Sequence, residues 1–545
     1  MNRMLVALLA SFLAGPAAAA STTAFLGGAI YTLNDKQPWA TALVVDSGHI
    51  VYVGDERGAR PFLAKASRVV RLNGRMMLPG FHDAHAHPMS ASLRFLRCQF
   101  GGKSTRPALF AAIRACAASH PDAAWLVGYE FPSKAFEKQP LTRAELDALV
   151  PDRPAYIANE TGFGAWANSR ALATAEIDTA TVPAGILNDD ALNRVHARIP
   201  RATEAEYRAA LKLWMDKANA LGITSVFDAA ASPPMVEAYH AADLAGDLKL
   251  RVVAAQLVDP KRGMDQVNEM TARRDSTRGQ RFRADAAKIF LDGEIDQHTA
   301  ALLAPYADKP DTKGELFVQP DVLNPLVKRL DSAGFLIHIH VMGDAAVRAG
   351  LDALEGARLA NGPADRRPQL AHVALAEPED TARFGAIGVT ANFSPGWFRP
   401  DDPALAGIEA ALGPQRSRWL YSIARVADTN GRIVMSSDWP ATSMNPLEGI
   451  EVAVTRQAPG GRGPINHPEQ CVSLALALRA YTADAAWVVR EDEMDGSLEV
   501  GKAADLIVLD RNLFKVRPGA IHQARVLLTL LDGEPVFRSR GFKFD

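Results

Sequence analysis

The hydrophobic and polar positions of this chain follow two rhythms. Residues 24–55 alternate short apolar runs with turns, AFLGGAIYTLND and then ALVVDSGHIVYVGD, where Gly48 marks a hairpin turn. The far end reads the same way, in GSLEVGKAADLIVLD and ARVLLTLLDGEPVFRSRG, with Asp532-Gly533 as a second turn. Neither end carries a long helical pattern, so residues 21–77 and 491–545 are expected to build one small β-sandwich together. Between them, apolar strand candidates alternate with amphipathic helical segments. The strand candidates are 222–229, 250–258, 286–293, 335–343, 370–375, 389–394 and 432–440, preceded by LPGFHDAHAHP from Leu78 to Pro88. Repeated βα units imply a parallel sheet, and this many suggest an α/β fold of the (β/α)8 TIM-like barrel type over residues 78–490. An open doubly wound sheet is the competitor, but no Gly-rich nucleotide loop follows any strand. About 135 residues separate His87 from the strand near Gly222, far more than the roughly 30 of a normal βα step. An inserted subdomain over about 89–215 is therefore expected after the first strand, beside the barrel mouth.

The first twenty residues differ from the rest. Arg3, the apolar run Leu5–Leu13, Pro16 and the small residues Ala17–Ala20 form the pattern of a signal peptide cleaved after Ala20. The run is too short to span a bilayer. An exported protein, periplasmic or secreted, with no membrane span is the expectation. The 60 basic and 62 acidic residues give a net charge of −2, which favours neither nucleic acid nor an anionic membrane as partner. A small-molecule substrate remains the expected partner, with homo-oligomerisation left open. Of the three cysteines, Cys98, Cys116 and Cys471, at least one lacks an intramolecular partner.

Candidate chemistry lies at the strand ends. Side chains two apart on a strand point the same way, so His85 and His87 can face one point, and imidazole is the commonest ligand for zinc-like ions. Lys288, His340, His372 and Asp438 follow on separate strands, spaced by 52, 32 and 66 residues. Barrel enzymes gather catalytic groups from several strands in this way. His338 shares the face of His340 and could be a further ligand or a supporting donor. His82 is offset by an odd number from His85 and should point away. His298 reads as a loop residue.

These motifs identify the chain as resembling the amidohydrolase superfamily, more narrowly the amidohydrolases related to N-substituted formamide deformylase. PGFHDAHAH, LTRAELDALVPDRPAYI, WANSRAL, AGILNDDA, GITSVFDA, KIFLDG with HTAALLAPY, HVMGDAAV, SSDWP with NPLEGIEVAVTR, and GSLEVGKAADLIVLD all carry the likeness. The resemblance implies that His85, His87, Lys288, His340, His372 and Asp438 surround one or two divalent metals, zinc being the expected ion. It implies that carbon dioxide carboxylates Lys288 to a bridging carbamate. It also implies that metal-activated hydroxide cleaves a non-peptide C–N bond, amide, N-acyl or N-formyl, while Asp438 carries the proton to the leaving amine. Trp166, Phe163, Asp292, Trp397 and Trp439 are candidates for the substrate side, and Phe393 for an apolar wall. Two positions depart from the family: Thr161-Gly162-Phe163 stands where Asp-Gly-His is usual, and Asp189 where glutamate is usual. An esterase, lactonase or phosphotriesterase is the competing enzyme. A non-catalytic sensor or regulator is the alternative of another class, disfavoured by the complete ligand set.

Overall fold

The computed structural model describes residues 22–160 and 164–544. Residues 1–20, where a signal peptide is expected, lie outside them. The central sheet has eight parallel strands in sequence order: β1 (Phe81–Ala86), β2 (Ile223–Ala231), β3 (Arg251–Leu257), β4 (Phe282–Phe290), β5 (Leu336–Val341), β6 (Gln369–His372), β7 (Thr390–Phe393) and β8 (Ile433–Met435). This is a nearly closed TIM-like barrel. Strands such as LIHIHV and RVVAAQL lack polar–apolar alternation because helices and core cover both faces of a parallel sheet.

The seam between β8 and β1 is made just past the strands. Asp438 N donates to His85 O at 2.8 Å, and His87 N donates to Trp439 O at 2.8 Å. The Asp83 carboxylate accepts from both the backbone N–H and the hydroxyl of Ser437. Closure therefore brings the first and last candidate ligands to one place.

Both chain ends contribute to one eight-stranded mixed sheet. Its hairpins turn at Ser47-Gly48 and Asp532-Gly533, four residues at positive φ, the conformation that two-residue hairpin loops require. Pro79 and Gly80, which read as a sharp entry into the histidine-bearing strand, stand at the break between two strands. Met76–Pro79 pairs antiparallel with Leu506–Leu509 in the terminal sheet, and the barrel begins at Phe81. Gly80 is the junction, where a Cβ would overlap the Thr224 side chain. His87 lies one residue past β1, at the N-cap of helix Pro88–Phe95. The last strand is also shorter than its apolar run suggests, ending at Met435, so Asp438 stands on a loop.

After β1 the chain leaves the barrel to form a five-stranded sheet with its own cores. It returns along helix Glu204–Ala220, which is closed at its N-terminus by a Thr203/Glu206 capping box. Cys98 and Cys116 form a disulfide in this insertion, and Cys471 is free. Among the described residues, no helix is long and apolar enough to cross a membrane.

Candidate metal centre

The six candidate ligands all come from the C-terminal ends of barrel strands or the loops just beyond. His85 Nε2 and His87 Nε2 lie 3.5 and 3.4 Å from Asp438 Oδ1. The ligand atoms of these three residues are all within 4.8 Å of one another. His372 joins them, with Nδ1 4.0 Å from Asp438 Oδ2 and its ring centroid 4.8 Å from that of His85. The His340 ring is 4.7 Å from the His372 ring. Lys288 lies in register beside His338, fully buried, with Nζ 4.6 Å from the centre of the Phe290 ring.

Backbone strain marks two of the six. His372 has φ 73° and Asp438 φ 51°, left-handed values that L-residues adopt only when surrounding structure holds them there.

Burial disfavours the charged forms of His85, His340, His372 and Lys288. The His85 and His372 imidazoles are held well below the ordinary histidine range, by burial first; Lys288 adds at His85, and His340 then Lys288 at His372. His340 is pushed down to about 3, by burial and then by Lys288. The Lys288 amine falls to about 7 because burial disfavours its charge more strongly than Asp438 and Glu294 favour it. Neutral bases are what cation binding requires.

The same groups are idle as hydrogen-bonding partners. His85 Nε2, both ring nitrogens of His340 and Lys288 Nζ are buried without a hydrogen-bond partner among the described residues. A buried polar atom left unmade costs about 1–3 kcal/mol, so several together are tolerated only if something else satisfies them. A divalent cation fits this donor set, with imidazole nitrogens and a carboxylate oxygen converging on one space.

His338 is a supporting residue. Its Nε2 lies 2.9 Å from His85 Nδ1, which orients the His85 ring with Nε2 facing Asp438. Asp83 is a residue that the sequence reading passed over. Its position two before His85 puts it in phase with the His85–His87 pair, and that alternation was the available signal. Glu294 was also missed. It follows β4 in a loop with no periodicity, and burial raises it to about 8, helped by Asp438 and Asp296. His82 faces away from the centre, with Nε2 3.4 Å from Asp495 Oδ1. His298 pairs with Asp308 in a loop, at 2.9 Å.

The substrate-side expectations need correction at several positions. Trp166 is 0% exposed in the insertion core, its indole N–H donating to Thr142 O at 3.2 Å; it is packing. Asp292 is equally buried and accepts from the backbone N–H groups of Ala301, Met342 and Gly343. It ties the loop after β4 to the end of β5, and presents no free oxygen to a substrate. The Trp439 ring packs tilted against Phe95, centroids 5.5 Å apart, with the Lys217 amine 5.7 Å from its centre, so it lies between two helices. Phe393 is core, packed on Phe398. Trp397 keeps its candidacy: it lies just past β7, half-buried, with an indole N–H that has no partner among the described residues. Phe163 lies outside the described residues, as does the side chain of Asp189.

A family model described as the amidohydrolase family matches residues 68–537. The N-substituted formamide deformylase of Arthrobacter pascens is 27% identical over 537 residues, covering 92% of this chain and 96% of that protein. Among solved structures, an uncharacterized metal-dependent hydrolase from Pyrococcus horikoshii superimposes with a TM-score of 0.78 at 23% identity, over 92% of this chain and 99% of that one. The atrazine chlorohydrolase of Arthrobacter aurescens TC1, solved in complex with zinc, does so with a TM-score of 0.55 at 16% identity, over 95% of each chain.

Proposed function

The chain belongs to the amidohydrolase family and is a metal-dependent hydrolase of it, and we propose that it is an exported enzyme cleaving a C–N bond of a small amide, N-acyl amine or N-formyl compound. The observation that carries this reading is the convergence of His85, His87 and His372 on Asp438 at the barrel mouth, with His85 Nε2 buried and without a hydrogen-bond partner among the described residues. His85, His87, His340, His372, Asp438 and a carboxylated Lys288 would hold one or two divalent ions, and mixed nitrogen and oxygen donors favour zinc. When bound, such an ion supplies a Lewis acid for the scissile carbonyl and lowers the pKa of a water molecule.

The remaining chemistry belongs to the protein. Asp438 Oδ1 stands within 3.5 Å of two histidines, where its carboxylate takes a proton from the attacking water and returns it to the leaving nitrogen. His338 holds His85 in orientation. At a pKa near 7, much of the Lys288 amine is neutral at neutral pH; its lone pair can add to carbon dioxide, losing one proton to give a carbamate. The indole N–H of Trp397 is suited to a substrate carbonyl or formyl oxygen. The formamide deformylase relative supports the C–N reading. Export is supported by the pattern of residues 1–20 and by the Cys98–Cys116 disulfide, since disulfides persist in oxidising compartments.

The test is turnover by the zinc-loaded mature protein of N-formyl amines, N-acyl amino acids, lactones and aryl esters. Amides and formamides are expected to be hydrolysed. Lactone or ester turnover without amide turnover overturns the C–N assignment. In Asp438→Asn, kcat on the amide should fall by about 10²–10⁴-fold, and by less on an aryl ester whose phenolate leaves without protonation. An amide kcat within a factor of about three of wild type, with metal bound, removes Asp438 as the proton carrier.

A further inference from the structure

The opposite end of the barrel holds a second buried cluster. His82 is on β1, and Glu491 and Asp495 lie on one turn of the chain, where Asp495 N donates to Glu491 O at 2.8 Å. Four residues apart on such a turn, the two carboxylates share a face. Their relative exposures are 3%, 6% and 1%, and one ligand atom from each lies within 4.8 Å of those of the other two.

Arginines approach this cluster without satisfying it. Arg283 donates to Glu491 Oε1 at 3.0 Å and to Asp285 Oδ2 at 2.8 Å. Arg251 donates to Asp505 at 2.8 Å and also to Asp532, while its Nε is 3.4 Å from Asp495 Oδ2. Both oxygens of Asp495 and the second oxygen of Glu491 remain buried without a hydrogen-bond partner among the described residues. Four carboxylates (Asp285, Glu491, Asp495 and Asp505) face two guanidiniums there, while Asp532 is paired a second time by Arg281 at the rim. Lys502 adds a further cation, its Nζ donating to Asp495 O at 3.2 Å, so it is the three unpartnered oxygens and not a charge count that mark the site. Buried charge persists only when it is paired or coordinates a metal.

We propose that His82, Glu491 and Asp495 form a second divalent-cation site of the zinc type, distinct from the centre at the mouth. One imidazole and two carboxylates are an ordinary zinc donor set. Its role is structural: it pins the segment carrying Glu491 and Asp495, which leads into the terminal sheet, to the floor of β1. Burial, followed by the charge of Arg251, pushes His82 down to about 3, which keeps its ring neutral and able to coordinate. Without a cation, burial favours the protonated forms of Asp495 and Glu491, raising both carboxyl groups above their ordinary range. The site does not depend on the chemistry assigned to the mouth.

Crystals of the full protein soaked in zinc chloride, with diffraction measured on both sides of the zinc edge, decide between cation and protons. An anomalous peak between His82 and Asp495, in addition to any peak at His85 and His87, is the expected result. Its absence in crystals whose mouth is loaded overturns the proposal. In solution, Asp495→Asn should bind about one zinc fewer than wild type while keeping its kcat per metal at the mouth. An unchanged zinc count in that variant also overturns it. If the variant does not fold, the wild-type anomalous map stands as the deciding measurement.

Discussion

The two ends of this barrel are both polar and buried, and they are built from different chemistry. At the mouth, imidazoles and an amine are crowded into a space that suppresses their charge, and His85 Nε2, both His340 nitrogens and Lys288 Nζ have no hydrogen-bond partner among the described residues. At the floor, Arg251 and Arg283 are ionised and paired with carboxylates from the end of the chain. The backbone differs as well. His372 and Asp438 hold left-handed conformations at the mouth, whereas His82, Arg251 and Arg283 sit in regular strands. Buried polarity alone therefore does not mark a reactive end. Neutral bases left without partners, together with local strain, do so, because both features cost stability and survive only with a compensating role.

The largest effect expected from this contrast is at the mouth. Replacing His85 and His87 together with alanine should abolish turnover and strip the metal centre there, with little change in the thermal midpoint of the metal-free protein. Metal analysis, kinetics and a melt of the apoprotein check all three. Full activity in the double variant would place the reactive end elsewhere.

The floor should respond the other way. Arg251→Met leaves Asp505, Asp532 and Asp495 short of a cation, and breaking a buried pair by removing one partner costs about 3–5 kcal/mol. Denaturation should shift to a lower midpoint, while kcat per bound metal at the mouth stays unchanged. A fall in kcat with an unchanged midpoint would erase the distinction between the ends.

The sequence made one of these ends far more legible than the other. The mouth could be read because its ligands sit at the ends of apolar runs, and strand alternation puts His85 in phase with His87. Asp83 was in the same phase, but its partner, Ser437, is 354 residues away and cannot be found by periodicity. The barrel strands were visible as apolar runs, yet the runs do not show where pairing stops, so the loop after β8 was read as continuous with its strand. Trp166 and Trp439 illustrate the reverse error: an aromatic near a motif looks like a substrate wall until its packing partners are known. The floor was invisible, since Glu491 and Asp495 meet His82 only after the chain's far end folds back onto β1.

The smallest predicted effect is a pH slope, and it tests the property on which the mouth depends. Lys288 has its amine pushed down to about 7 in the fold by burial, against an ordinary value near 10.5 in the unfolded chain. Between those values the unfolded chain holds a proton that the folded one lacks. Stability of the metal-free, carbon-dioxide-free protein should therefore rise with pH across that window, by up to about 1.4 kcal/mol per pH unit from this one group. Below pH 7 both states are protonated, the full penalty of burying the ammonium applies, and the slope disappears. Glu294, raised to about 8, titrates in the same range and interacts with Lys288, so the quantity to measure is the difference between wild-type lysine and Lys288→Met with both chains carrying Glu294→Gln. Arg251 and Arg283 stay charged throughout and add nothing to the difference. Denaturant midpoints taken at half-unit steps from pH 7.5 to 9.5 should diverge, with the lysine-bearing chain gaining on the Lys288→Met chain as pH rises. Parallel curves would mean that Lys288 keeps its proton in the fold. A charged ammonium cannot add carbon dioxide and repels a cation, so that result would remove the neutral amine from the mouth and with it the contrast between the two ends.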